Sequence, residues 1–140
     1  MRHEPLRTLL RLRRLTLDEA KLSLAACLER ESVASDRVRA IETSIRHETD
    51  RASEPDGSDA AVETFATWLR HARDELRAAE AELDAAETQS HEARVVLGAS
   101  RQAVEVLETA IDRHDAEVAA TVLRREQHVL DEVGARLVRQ

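Results

Sequence analysis

Aromatic side chains are almost missing from this 140-residue chain: there is no Tyr, one Phe and one Trp. Aromatics supply much of an ordinary globular core, so their scarcity argues against one. Breakers are equally scarce, with three Gly and two Pro. A many-stranded β architecture needs more turns than these residues can make. Cys27 is the one cysteine, which excludes an intrachain disulfide and suits a reducing compartment. Lys21 is the one lysine among 21 basic residues, a bias we ascribe to coding composition. No run of 18 apolar residues exists, so no membrane span is expected. Arg11, Arg13 and Arg14 interrupt the Leu-rich start, which argues against a secretory signal.

What is present is charge, alanine and branched aliphatics. Charged residues make up 35% of the chain and 23 positions are Ala. With Leu, Ile and Val recurring throughout, this is the composition of long helices and not of disorder. The formal charge of −7, from 28 acids and 21 bases, disfavours nucleic acid as a partner.

The punctuation predicts two helices. Pro5 suits a first helical turn, and Glu54-Pro55-Asp56-Gly57-Ser58 is the strong turn signal. Ser58 or Asp59 can cap the helix that follows. The expectation is an all-α fold and a single domain over 1–140: helix 1 at about 5–52, a turn at 53–59 and helix 2 at about 60–137.

Alternating steps of three and four from Val62 to Val118 trace eight heptads on helix 2 without a charged residue on the seam. The same stride on helix 1 runs from Leu10 to Ala52 and meets Arg13, Glu31 and Glu48. Heptads sustained over this length predict a long antiparallel two-helix coiled coil. A turn centred near Pro55 would pair residues whose numbers sum to about 111, leaving helix 2 uncovered beyond about residue 106, an overhang of about 50 Å. Beyond Val118 the apolar spacing becomes eleven, as in Ile111, Val122 and Val133, or Val118 and Val129. The charge follows this layout. Residues 1–14 carry a side-chain balance of +4 and residues 74–92 one of −6. The same pairing places Arg2 and Arg7 near Glu105, Glu108 and Asp112. Along single helices, Glu42–Arg46–Asp50, Arg101–Glu105 and Arg113–Glu117 have the spacing of supporting pairs.

Catalytic patterns are lacking. None of the glycines precedes a Lys-Ser or Lys-Thr pair, and there is no GxSxG, CxxC or HExxH. His71 and Glu75 share a helix face but lack a third metal ligand; a solvated surface pair is the stronger reading. His114 on the seam reads as a polar register-setting residue, and Cys27 as a small buried thiol. We expect no enzyme, metal or cofactor.

Three features exceed what a passive hairpin needs. Leu6, Leu9, Leu10, Leu12, Leu15 and Leu17 form a face wider than one seam requires. Packing on helix 2, docking on a partner protein, and lying on an anionic membrane are the three readings, with docking preferred. The stripe Val118, Val122, Val129, Val133 and Leu137 has no helix 1 left to cover it, so it either self-associates or inserts into another protein. Phe65 lies on the seam just after the turn, with Trp68 at its edge beside Leu69. Phe65 reads as core; Trp68 reads equally as core and as contact.

Two segments carry a family resemblance. Leu6-x-x-Leu9-Leu10-x-Leu12-Arg13, followed by Asp18-x-Ala20 and Leu24-Ala25, resembles the start of the flagellar export protein FliJ family. Arg124-Arg125-Glu126-Gln127 followed by Leu130-Asp131-Glu132 is similar to the same family's ending. The resemblance implies an antiparallel coiled coil like the central shaft of F-type ATPases, serving the flagellar type III export machine. Its partners would be the hexameric export ATPase, the cytoplasmic part of the export gate and the chaperones of late substrates. Its place would be the cytoplasm, peripheral on the inner membrane at the flagellar base. On this view Leu6, Leu9, Leu10, Leu12, Val118, Val122, Val129, Val133 and Leu137 face the ATPase ring, and Phe65, Trp68 and Leu69 the gate. The alternatives are the stalk of a virulence-type injection system, a generic coiled-coil tether, and a membrane-surface protein using residues 6–17.

Overall fold

An acid followed by proline opens the first helix, α1 (Glu4–Ala52). The negative charge suits the positive end of the helix dipole, and Pro5 gives up an N–H that would have had no helical acceptor. The computed structural model describes residues 4–54 and 58–140, so Arg2 and the Pro55-Asp56-Gly57 turn signal lie outside the described residues. At its far end α1 stops with Ser53 donating from both its backbone N–H and its hydroxyl to the Thr49 carbonyl, at 3.1 and 2.9 Å. The second helix, α2 (Asp59–Val138), starts from Ser58, whose Oγ accepts from the Ala61 N–H at 3.3 Å. It runs unbroken through Gly98 for 80 residues.

The two long helices pack against each other, so the all-α coiled hairpin read from the periodicity is what forms. Packing divides the chain into two units, Met1–Asp18 with Ala99–Gln140, and Glu19–Gly98. In the first, Leu10, Val104 and Ile111 make a core with Leu6, Leu17 and Leu107 against it. In the second, the buried side chains are mostly small, among them Ala20, Cys27, Ala72, Ala79 and Ala86. Within both units all buried residues among those described, and most half-buried ones, follow the predicted stride. It covers Leu10 to Glu48 on α1 and Phe65 to His114 on α2, with Arg13 turned out to solvent.

The register differs from the one expected. In the first unit Arg7 pairs with Asp115 at 3.9 Å and Arg14 with Glu108 at 2.9 Å, partners whose numbers sum to 122. In the second, Arg30 donates to Gln89 at 3.4 Å and Arg37 to Glu82 at 3.3 Å, a sum of 119. Falling partner numbers make each unit antiparallel, but both sums overturn the value near 111. Arg7 therefore meets Asp115 and not Glu108. The expected value assumed that both helices reach the turn at one level. Instead the first turns of α2 run past the end of α1, and the seam positions Ala52 and Val62 are exposed. The side chains decide this. Each large aliphatic buried stabilises by about 1.5–3 kcal/mol, more than a few added ångströms of connection cost.

Candidate functional site

The register decides where cover ends. Ile111 is 8% exposed and His114 half-buried, whereas Val118, the next seam position on its stride, is 45% exposed. Every residue from 115 to 140 is exposed. The uncovered part of α2 therefore begins near residue 115 and not 106, and measures about 35 Å, shorter than the 50 Å expected. Val118, Val122, Val129, Val133 and Leu137 all lie on it and all are exposed. Leu123 and Leu130 are exposed there too, and the stripe read from the sequence omitted them. Their spacing of seven, continued by Leu137, is the signal that could have found them. They widen the apolar face by about a quarter turn beyond the valines.

The N-terminal leucines divide. Leu10 is buried in the hairpin's own core and Leu6 packs beside it, so a partner finds neither freely. Leu9, Leu12 and Leu15 are exposed. Leu9, Arg13, Gln102 and Val106 line an open groove between the two helices of this unit. Part of the basic start is answered within the chain by Arg7–Asp115 and Arg14–Glu108, both at the surface. On the uncovered segment itself, Arg124 Nε donates to the Ala120 carbonyl at 3.3 Å, and His128 lies 3.7 Å from Glu132.

In the Glu19–Gly98 unit, Phe65 and Trp68 stack with ring centroids 6.1 Å apart and an interplanar angle of 25°. Both are half-buried, as is Leu69. They stand beside an open groove lined by Glu48, Ala52, Ala61 and Thr64, in the stretch where α2 has outrun α1. Each ring thus covers seam on one side and meets solvent on the other, the amphipathic setting in which Trp is most useful as a contact. Among the described residues, no three His, Cys, Asp or Glu side chains gather as metal ligands, and no helix is long and apolar enough to cross a membrane. His71 and Glu75 are both exposed on α2.

Fold and surfaces together define a coiled-coil hairpin whose unspent apolar surface is at its edges and its uncovered helix, not in a cleft. Such a protein offers contacts to other proteins. A family model described as flagellar FliJ protein matches residues 1–140, the whole chain, and the chain belongs to that family. No curated protein and no solved structure gives a significant match. Membership makes it a component of flagellar protein export, in a family whose members are non-enzymatic.

Proposed function

We propose that the chain is a coiled-coil stalk of the flagellar export apparatus, a single domain over residues 1–140, which binds the hexameric export ATPase through its uncovered helix. One observation carries this reading: α2 continues for about 35 Å with no residue buried, while presenting Val118, Val122, Val129, Val133 and Leu137. An apolar face of that length is a docking surface in want of a partner. Leu9 and Leu12 add exposed apolar area in the same unit. The Phe65, Trp68 and Leu69 patch is the surface for the cytoplasmic part of the export gate, and the stalk assists recycling of export chaperones. It works on the cytoplasmic face of the inner membrane at the flagellar base, with at most peripheral membrane association.

Mechanistically, such a stalk does no chemistry. A helix lodged asymmetrically in a ring touches each subunit differently, and a ligand that binds two conformations unequally shifts their balance. The test is co-purification with the export ATPase of the same organism, and its hydrolysis rate with and without this chain. Complex formation and a raised rate are expected. An ATPase that neither binds the chain nor responds to it defeats the reading.

A further inference from the structure

Among the described residues of the Glu19–Gly98 unit, two buried side-chain polar atoms have no hydrogen-bond partner: Glu31 Oε2 and Ser90 Oγ. Ser90 is 0% exposed. Both side chains occupy the same heptad column of their helix. In α1 that column reads Leu10, Leu17, Leu24, then Glu31, then Val38 and Ile45. In α2 it reads Leu69, Leu76, Leu83, then Ser90, then Leu97 and Val104. Each column is thus aliphatic along the covered seam with one polar interruption. The observed register brings the two interruptions to neighbouring positions across the seam, because Arg30 and Gln89, the residues just before them, are joined by a 3.4 Å hydrogen bond.

We infer that Glu31 and Ser90 are the register key of the hairpin. A heptad repeat by itself accepts any slip of seven residues, since apolar columns look alike after each shift. At the turn end a slip is open to this chain, because the seam positions Ala52 and Val62 stand exposed. Moving one heptad toward a tighter turn would bring Glu31 to Leu83 and Ser90 to Leu24; moving the other way would bring them to Leu97 and Val38. Either slip sets both polar groups against aliphatic side chains and disrupts two layers where the native register has one. The key acts by what it avoids, as buried polar residues do in specifying coiled-coil register. Its consequence for the molecule is dimensional. Register decides where α1 stops along α2, and so how much apolar helix is left uncovered beyond residue 115.

The test is cross-linking by a short bifunctional thiol reagent in the full chain carrying Cys27→Ser. Arg37 and Glu82 meet tip to tip at 3.3 Å, so R37C/E82C, its gap bridged by the reagent in place of the two long side chains, reports the native register. R37C/E75C and R37C/Q89C report slips of one heptad in either direction. With Glu31 and Ser90 in place, only the first pair should trap. Glu31→Leu with Ser90→Ala removes the key, and a slipped pair should then trap at least about tenfold faster, the change expected when an unpaired buried polar group no longer opposes the slip. Leu24→Glu with Glu31→Leu moves the acidic half by one heptad, so R37C/E75C should become the favoured pair while R37C/E82C declines. Dichroism confirms the helical content of both variants. Persistence of R37C/E82C as the sole reactive pair in both helical variants overturns the inference, as does equal trapping of native and slipped pairs in the chain with an intact key.

Discussion

Residues 65–114 and 115–138 of α2 belong to one continuous helix, yet only the first stretch lies under α1. In the covered stretch, apolar and small residues keep a strict three-four stride, and about two thirds of the other positions are charged or polar, with Val95, Val96 and Val106 exposed among the rest. In the uncovered stretch the seam stride lapses: Ile111, Val122 and Val133 are spaced by eleven, as are Val118 and Val129, while Leu123, Leu130 and Leu137 recur at seven on a shifted phase and broaden the face. One step of seven separates Ile111, buried, from Val118, exposed. A heptad seam is a commitment to one neighbouring helix at one angle. A broad, straighter apolar face suits a surface that is not a second helix wound around it. On the proposed function, this change along α2 marks the passage from self-recognition to recognition of a partner.

The sharpest way to break this comparison is to charge the uncovered face. Val122→Asp with Val129→Asp places two carboxylates on a surface with no intrachain neighbour. Thermal unfolding should shift by no more than surface substitutions do, within about 0.5 kcal/mol each. Stimulation of the export ATPase should be lost. A folded double variant that still stimulates fully would show that this face is not the docking surface.

A second test sets the two sides of the boundary against each other. Ile111→Ala removes a core side chain packed with Leu10 and Val104 and should cost about 2–4 kcal/mol in denaturant unfolding. Val118→Ala, one heptad further on, should cost within about 0.5 kcal/mol. Equal losses would mean that cover extends beyond residue 115.

The fold class was legible because period is a property of sequence. The stride predicts which side chains are buried, from Ala20 and Cys27 on α1 to Ala72 and Ile111 on α2, and burial follows it. Register was not legible from the turn, because a connection of a few residues tolerates stagger at little free-energy cost, whereas seam packing does not. The clue lay instead in matching Glu31 to Ser90, which gives a sum of 121, between the observed 119 and 122. Of the surface residues singled out, the leucines of Leu6–Leu17 divide as the stride does: Leu10 lies on it and is taken by the hairpin core, whereas Leu12 lies off it and faces solvent. Leu123 and Leu130 fall outside the valine stripe because the apolar face widens along this stretch.

The smallest expected effect distinguishes cooperative from local structure. Gly98 and Gly134 both sit inside α2, and a methyl group added at either meets no atom within 4 Å. Alanine at either site should therefore favour helix by about 0.5–1 kcal/mol locally. Gly98 lies where α2 is packed against α1, so its helix melts only when the hairpin opens, and Gly98→Ala should raise global stability by that amount. Gly134 lies in a stretch that has no buried side chain and where the Arg124 and His128 contacts are local to the helix itself, so it opens on its own at much lower cost. Gly134→Ala should leave the global midpoint in place and instead slow amide exchange around residues 130–138. If both substitutions raise the midpoint equally, the uncovered stretch unfolds together with the hairpin, and the boundary near residue 115 is one of exposure only, not of stability.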